Sequence, residues 1–186
     1  MILAGSSAIF LLVFLFWAAI TLNRFTRLDK RLMESWSDVD VCLQRRYDLI
    51  PNLVDTVKGL SAYEQKILQN LAELRSEAAA ISGNVGEKGR VEADISIQLV
   101  PFLARIENYP ALRSSDAFAQ LQQELCDTED RIAAARRLYN ANVRDYNSAI
   151  HSFPASLLKG SRLEAEYFEA VETAKNPFPI DIRATS

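Results

Sequence analysis

The run VDVCLQRRYDLIPNLVDTV, Val39–Val57, decides the fold, because a proline and two adjacent arginines sit inside what otherwise has the apolar spacing of a helix. If Pro51 opened a new helix as its first residue, Ile50 would be the N-cap, and isoleucine has no side-chain oxygen to accept the orphan N–H groups. The apolar phase also passes through Ile50, Leu53 and Val57 without a slip. The run therefore reads as one helix kinked at Pro51, whose ring removes a hydrogen bond and crowds the carbonyl of Tyr47. Stepping by four and three from Val39 reaches Leu43, Arg46, Ile50, Leu53, Val57, Leu60, Glu64, Ile67, Leu71, Leu74, Ala78 and Ile81, all apolar except Arg46 and Glu64. Such a stripe is a seam buried against other helices. It predicts a single helix as far as SGNVGEKG, Ser82–Gly89, where the glycines supply a C-cap and a flexible loop.

Further along, Ile95, Leu99, Phe102, Leu103 and Ile106 predict a second helix from about Val91 to Asn108, bent at Pro101 and ended by NYP. A third helix starts after the cap residues Ser114 or Ser115. Its seam is Phe118, Leu125, Ile132, Tyr139, Tyr146 and Phe153, with Leu121, Ala135 and Ala149 in companion positions. Ser161 and Glu164 form a capping box for a short fourth helix to about Ala174, and the prolines of NPFPIDI make the tail extended. The first and third helices are much longer than the second, so a kink or bend must reconcile their lengths.

In the other direction lies ILAGSSAIFLLVFLFWAAITL, Ile2–Leu22, without a charge and with the roughly twenty residues needed to cross a bilayer as a helix. It lacks the basic start, short apolar region and small residues before a cut that mark a cleaved signal peptide. Arg24, Arg27, Lys30 and Arg31 follow directly, opposed only by Asp29. The positive-inside rule then puts the amino terminus outside and the body in the cytoplasm. The expected organisation is a transmembrane anchor at residues 1–23, a helical body at 24–175 and an extended tail at 176–186.

The chain has 186 residues, about half of them apolar, and a net charge of −3. That charge excludes the single-signed field that duplex nucleic acid requires. Cys42 and Cys126 fit no metal-ligand spacing, and the sole histidine, His151, reads as a boundary residue near the end of the third helix. The carboxylates Glu124, Asp127, Glu129 and Asp130 lack the Glu-x-x-His motifs of a di-metal bundle, and read as a solvated face with Asp127 four residues before Arg131. No phosphate loop or nucleophile motif is present, and no cofactor is expected.

A charge on a buried stripe needs a specific partner. Arg46 is expected to pair with a carboxylate of the third helix, with Glu129 and Asp145 as candidates beside Asn142 and Tyr139. The other reading leaves it at the seam's edge with its head in water. Tyr139, Asn140, Tyr146 and Asn147 repeat a YN pair at seven residues. The tyrosines are expected to pack in the core with hydroxyls bonded at the rim, and the asparagines to make interhelical hydrogen bonds.

SWSDVDVCLQRRYDLIPNLVDTVKG, Ser35–Gly59, and RIAAARRLYNANVRDYNSAIHSFP, Arg131–Pro154, resemble the two signature blocks of the LemA family, and ENYPALRSSDAFAQLQQEL, Glu107–Leu125, resembles the segment between them. Where that family often has histidine before glutamate, this chain has Tyr63 before Glu64. The resemblance implies an all-α fold: an amino-terminal transmembrane helix followed by an elongated antiparallel bundle of about four helices. It implies no reaction, and one branch of the family, in magnetosomes, is associated with an internal membrane. The combined expectation is a non-enzymatic, membrane-tethered scaffold or interaction module at the inner face of the cytoplasmic membrane, or of an internal one, with membrane organisation or remodelling as the role it would serve. Its partners would be the bilayer and another protein or a second copy. The competing expectation is an enzyme or ligand-binding protein with a site between helices near Arg45, Asp48, Asn52 and the YN repeat.

Overall fold

Pro51 lies inside a helix that neither it nor the end of the apolar run interrupts. The computed structural model describes residues 2–57, 62–106 and 109–168, and within them the fold is all helical. The elements are α1 (Ile2–Thr56), α2 (Ala62–Ala80), α3 (Val85–Ile106), the single turn α4 (Pro110–Arg113), α5 (Asp116–His151) and a 3-10 turn, Ala155–Leu158. The apolar run and the first bundle helix are thus one helix.

α1 and α5 each contribute to two compact units. The first unit holds residues 1–40 and 135–166. Its core gathers Phe25, Tyr146, Ala149 and Ile150, covered by Leu28, Leu32, Ala155, Leu158 and Ala165. In the second unit, residues 41–134 with 167 and 168 among those described, α2 and α3 pack on each other. Leu43, Ile50 and Leu53 of α1, Leu71 of α2, Ile95, Leu99 and Ile106 of α3, and Leu125 of α5 are all fully or almost fully buried there.

Four boundaries differ from the sequence expectation. The stripe from Val39 to Ile81 belongs to two helices rather than one, since α1 closes with Val57 N–H bonded to the Leu53 carbonyl at 3.1 Å and α2 begins at Ala62. Gly59 and the Ser61-x-x-Glu64 spacing are a stop and a start signal that the uninterrupted phase concealed. α3 begins at Val85, inside the expected loop, because the Asn84 side chain accepts the Glu87 N–H at 2.9 Å and caps it. Only Gly83, at φ +80°, adopts the left-handed conformation in that connection.

The fourth helix does not form over residues 162–168, which are irregular. Asn147 takes both backbone polar groups of Ala165, donating to its carbonyl at 3.0 Å and accepting its N–H at 2.9 Å. A helical turn would need those same groups. The remainder of that expected helix, and the tail at 176–186, lie outside the described residues. Phe153 leaves the seam, because α5 ends at His151 and the heptad phase ends with it; the side chain is 84% exposed.

Candidate functional site

Two groups of polar side chains are built into the bundle. In the second unit, Arg46 projects from α1 into complete burial. Its Nη1 donates to Glu129 Oε1 and to Ser96 Oγ, each at 2.7 Å. Nη2 pairs with Glu92 Oε2 and lies 3.3 Å from the Glu92 carbonyl. Ser96 passes the link on by donating to Glu129 Oε2 at 2.6 Å, and the Tyr47 hydroxyl donates to Glu92 Oε1. One guanidinium thus joins α1, α3 and α5 through two carboxylates. Among the described residues only its Nε lacks a partner.

Both terminal nitrogens of the guanidinium are engaged and Arg46 itself is fully buried, so the arrangement joins the three helices. Glu129 is the candidate partner named from the sequence; Glu92, Ser96 and Tyr47 were not named. Stepping the α3 stripe back from Phe102 through Leu99 and Ile95 lands on Glu92, an acid in a seam position as Arg46 is a base in one. That spacing was the available signal.

Pro51 explains a neighbouring contact. Its missing N–H leaves the Tyr47 carbonyl without a helical donor, and Arg75 Nε of α2 supplies one at 3.1 Å. Glu64, the second polar seam residue, is buried in the first turn of α2, where the helix dipole favours a carboxylate. Among the described residues its Oε2 has no hydrogen-bond partner.

The residues of the competing site are shared between the two units. Arg45, Asp48 and Asn52 are exposed residues of the second unit, whereas the YN repeat belongs to the first. Arg45 pairs with Glu124 at 2.6 Å and Asp48 accepts from Gln44 at 3.0 Å. The acidic run of α5 is also not one solvated face: Glu124 and Glu129 turn toward α1, while Asp127 accepts from Gln123 at 2.8 Å.

In the first unit the YN repeat holds the irregular segment. Asn147 grips Ala165 as described, and the Tyr139 hydroxyl donates to the Glu166 carbonyl at 3.0 Å while its ring lies 5.3 Å from Trp36. Burial, and secondarily the charge of Glu166, push the Tyr139 hydroxyl up to about 12. Burial likewise raises Tyr146, followed by the charge of Asp29 and its hydrogen bond. Asn140 is half-buried beside them. His151 is exposed, with Nε2 2.7 Å from Glu164 Oε1.

Among the described residues of the second unit are two surface clefts. The larger, about 370 Å³, lies between α2 and α3, where Lys66 and Arg105 flank Phe102 and the Arg105 guanidinium sits 5.0 Å from the Tyr63 ring centroid. Among the described residues its lining includes no acid, histidine, serine or cysteine. The other, about 320 Å³, is lined by Arg45 and Arg131 against Glu124 and Asp127, with Cys42 and Thr128. Among the described residues no three histidine, cysteine or acidic side chains come together to hold a metal.

Within α1, the amino-terminal part is long and apolar enough to cross a membrane, and few of its side chains are covered by protein. Phe10, Leu12 and Phe16 are among those turned outward, and Arg24, Arg27, Lys30 and Arg31 are exposed directly after it. The LemA family model matches residues 35–181, which include Arg46, Glu92, Glu129 and the YN repeat. The chain belongs to the LemA family. Among its relatives, magnetosome protein MamQ of Magnetospirillum gryphiswaldense is 27% identical over 92% of this chain and 73% of its own length. Magnetosome protein MamQ 2 of Paramagnetospirillum magneticum is 27% identical, covering 83% and 67% respectively. Protein LemA of Metamycoplasma hominis is 24% identical over 70% of this chain and 60% of its own. In this LemA-family chain the matched region starts in the middle of α1, after the apolar stretch and the basic residues that follow it.

Proposed function

We propose that this LemA-family protein is a non-enzymatic helical bundle tethered by the apolar part of α1, with its body on the cytoplasmic side and its helical faces serving as a scaffold for another protein or a second copy. One observation carries this reading: a helix whose apolar, outward-facing side chains give way, without a break, to a basic collar and then to the bundle. The collar favours the cytoplasmic side, where each basic residue near an anionic surface adds up to about 1 kcal/mol. The Arg46 group and the YN repeat support a non-catalytic role, since their hydrogen bonds run to other side chains and to backbone. The magnetosome names of its relatives support association with a membrane, and an internal membrane is the natural variant of the proposal. Residues 1–23 act as anchor, 24–175 as body and 176–186 as tail.

Crosslinking of the full chain in native membranes tests the scaffold role. Discrete crosslinked species, either dimers of this chain or a reproducible partner, are expected. A chain that stays monomeric and uncrosslinked at native abundance contradicts it.

A further inference from the structure

The antiparallel register of the first unit sets how close the end of α5 comes to the apolar stretch of α1. Trp36 packs at a tilt against Tyr139, the Arg31 carbonyl accepts from Asn142, and Phe25 clusters with Tyr146, Ala149 and Ile150. Each residue gained along α5 is therefore matched by about one residue back along α1. By the end of α5 the same register brings His151 to within a turn of Leu22, where the uncharged run ends.

The turn that follows stays at this level. Ala155 and Leu158 pack on the Phe25 cluster, and Arg162 lays its guanidinium 5.1 Å from the Phe25 ring centroid. Phe25 lies three residues beyond Leu22, which at 1.5 Å per residue is about 4.5 Å along the helix. The headgroup layer on each side of a bilayer is about 5–7 Å deep, the difference between its full thickness and its hydrocarbon core. The turn therefore sits at headgroup depth if α1 spans.

What the turn shows to solvent there is apolar. Phe153 is 84%, Leu157 74% and Leu163 83% exposed, an arrangement costly in water but suited to the boundary between headgroups and acyl chains. Exposed basic residues lie on α1 shortly after the uncharged run, Arg24, Arg27 and Lys30, and the half-buried Lys159 lies at the turn. Of the neighbouring acids, Asp29 lies 3.6 Å from Arg162 and Glu164 2.7 Å from His151.

We propose that the turn after α5 is a second membrane contact, with Phe153, Leu157 and Leu163 entering the interfacial layer of the leaflet from which α1 emerges, and Arg24, Arg27, Lys30 and Lys159 meeting its anionic headgroups. The inference rests on the reading of α1 as membrane-spanning and adds a second contact to it. Two contacts, unlike one, restrain how the first unit tilts and rotates on the membrane surface.

The test uses the full chain carrying Cys42→Ser and Cys126→Ser, reconstituted in vesicles of phosphatidylcholine with phosphatidylglycerol. Nitroxide is attached at Phe153→Cys or Leu157→Cys, with Leu15→Cys as the span reference and Ser37→Cys as the aqueous reference. These positions are exposed, so substitution leaves the fold intact. Collision with oxygen and with a water-soluble nickel chelate is then read for each. At Phe153 and Leu157, protection from nickel and access to oxygen intermediate between the two references are expected. Nickel access equal to that at Ser37, with Leu15 still protected, overturns the second contact and leaves the span standing. Nickel access at Leu15 as well overturns both. Spin–spin broadening at Phe153 or Leu157 with both reagents excluded puts a second copy on the patch and overturns the lipid contact.

Discussion

A fully buried guanidinium costs several kcal/mol unless its charge and donors are met. Arg46 meets that cost through Glu92, Glu129 and Ser96, and so ties three helices at one fixed height. Arg46→Met would leave both carboxylates buried without their counter-charge. It is expected to lower stability by about 3–5 kcal/mol, read as a fall in denaturation midpoint of the solubilised protein. Adding Glu92→Gln and Glu129→Gln should recover part of it. An unchanged, uniquely folded Arg46→Met protein would sink the assigned role. Tyr139 gives a pH-dependent signature. Its folded-state value, about 12, lies above the ordinary 10, so the stability it contributes is complete below pH 10 and is lost as pH rises toward 12. Tyr139→Phe, which removes the hydroxyl donor to Glu166, should cost about 1 kcal/mol at neutral pH. That deficit should shrink between pH 10 and 12 as the parent loses its advantage. A deficit constant across that range contradicts a buried, neutral phenol.

At the scale of an element, the kink at Pro51 and the arginine of α2 are one feature. The proline leaves the Tyr47 carbonyl without its helical donor and Arg75 supplies a replacement. Arg75→Ala should cost about 1–3 kcal/mol in the parent, and less in a Pro51→Ala background, where a backbone N–H returns. A double-mutant cycle reads this coupling, and strictly additive losses would show that the contact carries no weight. The helicity of the run through Pro51 and the onset of α5 after Ser115 were legible in the sequence, because apolar phase and cap chemistry are local. The break between α1 and α2 was not, since Val57 and Ile67 keep the same phase on either side of it. The fate of residues 162–168 was not legible either. Ser161 and Glu164 satisfy a local capping rule, but Asn147, distant in sequence, outcompetes it for the Ala165 backbone. Glu92 stood in a seam position that spacing alone could have flagged, whereas the Arg75 contact required knowing that α2 is a separate helix. Asn147→Ala should speed amide exchange across residues 162–168 while leaving α5 protected; unchanged exchange there would remove the strap role assigned to Asn147.

For the whole molecule, we propose a bundle on the cytoplasmic side, continuous with a membrane-spanning helix. Burial supports it from both ends of α1: Phe10 and Phe16 face outward where the helix is uncharged, and Leu43 and Leu53 are fully buried where it joins the bundle. An uncovered apolar face of that extent is at home in lipid and not in water. Cys126 on α5 is exposed and in no disulfide, so it reports the side on which the body lies. The decisive measurement is labelling of Cys126 by a membrane-impermeant maleimide in intact cells and after permeabilisation, with the chain first shown to remain in membranes through an alkaline carbonate wash. Retention in the membrane, with labelling only after permeabilisation, is the expected result. Release by the wash, or labelling in intact cells, would contradict the account.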